Sequence, residues 1–195
     1  MISARILLFL TVAFFTCVAG VFQTAGLNTF NKDGLSFSYP AGWMVQDESN
    51  SDAQTIKMAR NDGDIQMTVF AHRGRISAEK MANAQKDFIN PYVEAVAKQF
   101  VDSMGAKVER TPDSTEIGGV KAEGIKLKFL VSGDSATSQI YWALVNQRVI
   151  VLTYFGPDQD RQKFLSSWDA VRTSLKIEDA KPLISRRQNL SLSLA

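Results

Sequence analysis

The sequence predicts an α+β domain in which an antiparallel β-sheet is flanked by helices on both faces, an α/β/α sandwich. Two observations lead there. The hydrophobic period changes along the chain in the order strands, long helix, strands, short helix. In addition, two successive segments, Ile140 to Val145 and Val149 to Phe155, are apolar at nearly every position instead of at alternate ones. A strand that is apolar on both sides has to be covered on both sides, so these two belong in the middle of a sheet with helical layers above and below.

The elements follow in chain order. Gly34 to Pro40 alternates apolar and small polar residues, and Pro40-Ala41-Gly42 turns the chain into a second short strand, Trp43 to Gln46. After an acidic, serine-rich loop at Asp47 to Asp52, Gln54 to Arg60 and Asp64 to Arg73 form a hairpin around Asn61-Asp62-Gly63, whose Asp-Gly step tolerates positive φ. Met67, Val69 and Ala71 share one face of its second strand, while Gln66, Thr68, Phe70 and His72 share the other. Between Ser77 and Met104 the period is helical, with Met81, Phe88, Tyr92, Val96 and Phe100 in one row and Ile89, Val93, Ala97, Val101 and Met104 beside it. Pro91 interrupts it, so the helix is expected to kink, or to stop with Asn90 capping a second helix that begins at Pro91; Gly105 ends the segment.

From Lys107 to Phe155 the pattern is consecutive hairpins, with turns at Gly118-Gly119, near Gly133-Asp134 and at Asn146-Gln147. Ile125, Leu127, Phe129 and Val131 alternate there with Lys126 and Lys128, so that strand buries mainly one face. Gly156-Pro157 closes the last strand, and Asp158 is placed to cap a final helix whose Phe164, Trp168, Val171 and Leu175 fall at i, i+4, i+7 and i+11. Trp43, Trp142 and Trp168 lie on faces expected to be buried, which assigns them to the core.

The two ends differ from the middle. Met1 to Arg5 carries one positive side chain, and Ile6 to Phe22 follows with 17 residues free of charge, the pattern of an export signal; Ala19, Gly20, Ala25 and Gly26 offer small residues for cleavage. An uncleaved membrane anchor is the rival reading, since 17 residues is the lower edge of what spans a bilayer core. Cys17 offers a third, lipidation, but Phe14-Phe15-Thr16 does not match a lipoprotein signal. All three readings export the remainder, to the periplasm or the extracellular space. The chain therefore divides into residues 1–26 as signal peptide or membrane anchor, 27–180 as one folded domain, and 181–195 as a polar basic tail carrying Lys181, Arg186 and Arg187 and no acid.

Composition excludes several functions. With 22 basic against 20 acidic side chains there is no broad basic field for nucleic acid. One Cys and one His rule out an internal disulfide and a cysteine-rich zinc site.

The segment Gly34 to Trp43, with its alternating strand and Pro-x-x-Trp, the middle helix, the central Tyr141-Trp142 and the closing Gly156 to Leu175 together resemble the PsbP and Mog superfamily over about residues 30 to 176. The resemblance rests on one distinctive segment and the order of elements, with no catalytic signature. It implies an α/β/α sandwich without known catalytic residues, used as an accessory or binding module; family members include extrinsic subunits of photosystem II and exported bacterial proteins without assigned roles. No metal or partner-contact residue of the family matches this chain one by one, so the photosynthetic role does not carry over.

Catalytic chemistry is sparse. His72 is the one candidate base, at a strand end beside Arg73 and Arg75, and no Gly-x-Ser-x-Gly elbow accompanies it. Gly118-Gly119 leads into a strand, which fits a turn and not a phosphate loop. The acidic groups at Asp47, Glu48 and Asp52, at Asp62 and Asp64, and at Asp158 and Asp160 lack calcium-loop spacing and read as a solvated loop, a turn and a helix cap. No catalytic residue, cofactor or metal is expected. What remains is a partner surface: Arg73 and Arg75 flank Gly74 at a strand exit, and Lys126 and Lys128 sit two apart on one strand face, each pair presenting two charges in one direction, either toward a polyanionic or acidic protein surface or as a solvated strand face that protects an edge from unwanted pairing. The expected function is an exported, non-catalytic accessory or binding module for a protein or a membrane-associated complex. A hydrolase with an unrecognised site and a carrier of a small apolar ligand are the alternatives.

Overall fold

The computed structural model describes residues 26–61, 64–131 and 134–178. The expected signal or anchor, the basic tail, and the expected turns at Asp62-Gly63 and Gly133 lie outside the described residues. No helix among the described residues is long and apolar enough to cross a membrane.

Five strands come first: β1 (Leu27–Lys32), β2 (Leu35–Pro40), β3 (Met44–Asp47), β4 (Ala53–Ala59) and β5 (Gln66–Arg75). A helical segment follows, made of a 3-10 turn at Ala78–Lys80, α1 (Met81–Ala84), a π turn at Gln85–Ile89 and α2 (Asn90–Met104). Then come β6 (Lys107–Ile117), β7 (Val120–Val131), β8 (Asp134–Val145) and β9 (Arg148–Pro157), a 3-10 turn at Asp158–Asp160, α3 (Arg161–Ser174) and the two-residue β10 (Lys176–Ile177). The class is α+β, and every strand pairing is antiparallel.

The strands form two sheets where the sequence suggested one. The larger runs β3-β4-β5-β9-β8-β7-β6, and a three-stranded sheet runs β1-β2-β10. The small sheet is hard to see in the sequence because β1 is solvent-exposed along almost its whole length, so no alternation marks it. Its order comes from backbone pairing with β2, whose Leu35 and Phe37 point inward and are buried. The backbone N–H of Ser38 donates to the Ser174 hydroxyl at 2.7 Å, tying this sheet to the end of α3.

β9 is the middle strand of the seven, with β8 beside it, as their doubly apolar pattern requires. Their side chains divide by parity between two apolar clusters. Tyr141, Ala143, Val145, Ile150, Leu152 and Tyr154 pack with Phe164, Trp168 and Val171 of α3 and with Leu35 and Phe37. Ile140, Trp142, Val149 and Val151 pack with Ile89 and with Val93 and Ala97 of α2. Each large side chain buried this fully contributes about 1.5–3 kcal/mol, so the two clusters dominate the stability of the domain.

Two local expectations are corrected. The chain stays helical through Asn90, at φ −61° and ψ −46°, so Asn90 caps nothing. The interruption is a π turn one step earlier. Ala84 and Ile89, five residues apart, both pack against the sheet; a turn closed by i to i+5 bonds keeps such a pair on one face and eases the crowding that Pro91, without an N–H, imposes on the preceding turn. Asp158 makes no capping hydrogen bond to α3; its carboxylate is drawn to β8 instead.

At the far end of the sheet, Asn146 and Gln147 turn the chain with φ of 47° and 64°, both left-handed, as a two-residue hairpin needs. Arg148 follows, 5% exposed, and its Nε donates to the His72 carbonyl at 2.7 Å while Nη2 reaches Gln54 Oε1 at 2.7 Å and the Ala71 carbonyl at 3.1 Å. These bonds occupy the stretch where the β5 and β9 register shifts, between Ala71 and Arg75. At the opposite sheet edge β6 pairs with β7 alone, Pro112 standing across from Ile125.

Candidate functional site

On the sheet face where Phe164, Trp168 and Val171 of α3 pack, β6 and β7 stay exposed at Glu109, Thr111 and Lys128, while Thr137 and Gln139 of β8 beside them are buried. The register brings side chains of one face into rows: Glu109, Lys128 and Thr137 in one, Thr111, Lys126 and Gln139 in the next, Asp113, Gly124 and Tyr141 in the third. The first row and part of the second, with Asp158 in the turn before α3 and Arg161 at its start, border a basin of about 320 Å³ lined by Glu109, Thr111, Lys126, Lys128, Thr137, Asp158 and Arg161, and the third row lies next to it.

The chain builds this site from a few local features. Gly124 is one. A Cβ there would come within 2.2 Å of the Tyr141 ring and 2.7 Å of the Ile140 carbonyl, so only glycine lets the ring lie across β7. The Tyr141 hydroxyl then donates to Asp113, and Gln139 Nε2 donates to the same hydroxyl at 3.0 Å. Burial and the Asp113 charge both push the Tyr141 phenol well above its ordinary range, so it stays protonated as a donor. Lys126 Nζ reaches Asp113 Oδ2 at 2.8 Å. Burial alone would raise Asp113, but the Lys126 and Tyr141 hydrogen bonds outweigh it and hold the carboxyl below its usual value.

Asp158 is held in the same manner. Ser135 donates to Oδ2 at 2.7 Å and Thr137 to Oδ1 at 2.5 Å. Partial burial opposes ionisation there, and the two hydroxyls, with the charges of Lys128 and Arg161, reverse the effect and keep the carboxylate ionised. By contrast, neither Lys128 nor Arg161 makes a hydrogen bond or ion pair among the described residues.

Of the expected partner residues, Lys126 and Lys128 therefore share the basin, with Lys126 committed to Asp113. Arg73 and Arg75 lie at the other end of the sheet. Arg73 Nε donates to the Asn50 carbonyl at 2.8 Å and Nη2 reaches Asp33 at 3.1 Å; Arg75 donates to the carbonyls of Asn146 and Glu178, each at 3.1 Å. Both arginines tie loops together. His72 is exposed, and its Nδ1 lies 3.2 Å from the Gly74 carbonyl. Trp43, Trp142 and Trp168 are buried. No group of three or more His, Cys, Asp or Glu placed to hold a metal exists among the described residues.

Sequence reasoning missed Arg161, Asp113, Thr137 and Tyr141 as site residues, because hairpin register and the α3 start, not spacing, bring them together. One signal was available: an unusually polar run, Ser135 to Gln139, leading into a strand that is otherwise apolar. A second, larger groove of about 750 Å³ between α2 and β6 is mostly apolar, with Ala95, Val101 and Val108 in its wall and the Glu94 and Arg110 ion pair beside them, and it offers few converging polar groups.

No protein-family model matches the sequence. No curated protein matches it either. Solved structures do. Cyanobacterial PsbP (CyanoP) from Synechocystis sp. PCC 6803 is 15% identical, with 82% of this chain and 96% of that one covered and a TM-score of 0.52. A Bacteroides thetaiotaomicron protein is 16% identical, covering 77% of this chain but 48% of that one, at a TM-score of 0.48. LpqN of Mycobacterium tuberculosis, described as involved in cell envelope biogenesis, is 12% identical over 79% and 91%, at 0.43. The described domain has the PsbP-like fold, at a sequence distance where fold alone is what the likeness carries.

Proposed function

We propose that this chain is an exported, non-catalytic accessory module that associates with a protein or membrane-associated complex. On this reading residues 1–26 direct export and are either cleaved or retained as an anchor, the domain of residues 27–180 works in the periplasm or outside the cell, and residues 181–195 form a basic tail. Its layers are a helical one from α2, the seven-stranded sheet, and a second from α3 with the small sheet; the division of β8 and β9 between two apolar clusters supports that arrangement. The partner-contact candidates are Lys126 and Lys128 at the basin and Arg73 and Arg75 at the opposite end, the latter pair contributing mainly by ordering the loops they bridge.

The observation that supports this most directly is the basin, where Lys128 and Arg161 present donors with no acceptor of their own. An open cationic pair beside carboxylates that already have hydrogen-bond partners suits recognition of an acidic group better than bond-breaking, which needs a base aimed at a nucleophile. Affinity retention from a native envelope fraction tests it. The wild-type protein is expected to retain a discrete partner, Lys128→Glu to lose it, and Lys163→Glu to keep it. Retention unaffected by Lys128→Glu would refute the assigned surface.

A further inference from the structure

The hydrogen-bond inventory of the basin is lopsided. Its buried-side acceptors are used: Asp158 takes Ser135 and Thr137, and Asp113 takes Lys126 and Tyr141. Its donors are not used: the Lys128 ammonium offers three and the Arg161 guanidinium five, with no protein acceptor among the described residues. Thr111, on the β6 side, adds an exposed hydroxyl. Glu109 is the one lining carboxylate with no donor assigned, and it is exposed at the rim. A volume of about 320 Å³ is at the lower end of small-molecule sites.

We infer that the basin is a recognition pocket for a single oxyanion group, a carboxylate or a phosphate, held between the Lys128 ammonium and the Arg161 guanidinium. This deepens the accessory-module reading and rests on it for the identity of the site. The partners of Asp158 matter here: its two oxygens accept the Ser135 and Thr137 hydroxyls, Lys128 and Arg161 act on it through charge without a hydrogen bond, and both remain able to reach an incoming oxyanion. The oxyanion has two sources, a free small anion or a glutamate or aspartate displayed by a partner, and the same two cations serve both.

The test is a titration of the purified, isotopically labelled protein at constant ionic strength, with sodium phosphate in one arm and a capped tetrapeptide carrying one glutamate in the other. Saturable amide shifts are expected at Thr111, Thr137 and the start of α3. Lys128→Ala and Arg161→Ala should each weaken binding about tenfold, as loss of a charge-assisted hydrogen bond does. Glu109→Gln should strengthen it about twofold by removing the like charge, and Lys163→Ala should leave it unchanged. Neither Lys128 nor Arg161 makes a hydrogen bond or ion pair that ties elements together among the described residues, and unchanged thermal unfolding of each variant checks that the fold is kept. The tighter arm names the source. Linear, unsaturable shifts in both arms, or saturation that survives Lys128→Ala and Arg161→Ala together, overturn the inference. If the oxyanion binds but wild type and Lys128→Glu retain a partner equally, the docking surface assigned above fails and the pocket stands; if partner retention depends on Lys128 while neither anion saturates, the pocket fails and the docking surface stands.

Discussion

On the face of the sheet that carries α2, β7 and β8 contribute Leu127, Phe129, Ile140 and Trp142, whereas on the opposite face the same strands contribute Lys126, Lys128, Thr137, Gln139 and Tyr141. The first set is sealed: Phe100 lies over Phe129 at a ring distance of 4.2 Å and over Phe155 at 4.7 Å. The second begins as core, with Tyr141 and Tyr154 against Trp168, and turns polar within one strand width. The difference shows how a seven-stranded sheet can pack one side of these strands fully and carry polar side chains on part of the other without a separate loop to hold them.

The comparison can be broken most severely by removing an aromatic from each side. Phe129→Ala and Trp168→Ala should each cost about 3–5 kcal/mol in denaturant unfolding. Because they lie in different clusters, the double variant should add to within about 0.5 kcal/mol; strong coupling would mean the two cores are one. Next in size is Gly124→Ala, expected to cost about 1–3 kcal/mol because the new methyl collides with Tyr141 and the Ile140 carbonyl. A neutral result would show that the tyrosine ring does not lie across β7, where it reaches Asp113.

The polar side is sharpened by a pair of tyrosines. Tyr141→Phe removes a donor to Asp113 and should cost about 1–2 kcal/mol, while Tyr154→Phe should change stability by less than about 0.5 kcal/mol, since the buried Tyr154 hydroxyl has no partner among the described residues. Equal losses would refute the network. Acid unfolding supplies a smaller effect. Asp113 and Asp158 have folded pKa values below their unfolded ones, so the stability they contribute is present above the ordinary carboxylate range and is lost as pH falls through that range to the folded values. Asp158→Asn should flatten the acid limb of a stability-against-pH curve, and a limb of unchanged slope would remove Asp158 from the account.

The sealed face was legible in the sequence and the open one only in outline. Ile140 to Val145 announces double burial by composition, and the Phe164, Trp168, Val171 spacing announces α3, because period and burial are local properties. The alternation of Lys126 and Lys128 with Leu127 and Phe129 likewise exposed one wall of the basin. Its other walls could not be read. Asp113 meets Tyr141 across 28 residues, and Thr137 meets Asp158 across 21, through strand register and the entry of α3. Arg148 was equally hidden, since an arginine after a turn reads as solvated, yet this one is buried on carbonyl oxygens, its charge disfavoured by burial and by Arg73 and Arg75. β1 escaped notice because its order derives from backbone bonds that leave no hydrophobic trace.

Pro112 gives the rim strand β6 a further property. A proline nitrogen cannot serve the ladder to β7, so it belongs to the outward row of backbone groups, where it leaves a gap. The eleven-residue rim is thereby split into two short stretches, one bearing Lys107, Glu109 and Arg110, the other Asp113 and Glu116. A foreign strand trying to zip along this border would lose its bonding midway and meet charge on either side of the break. The break in this way guards the border against edge-to-edge growth into stacked ribbons.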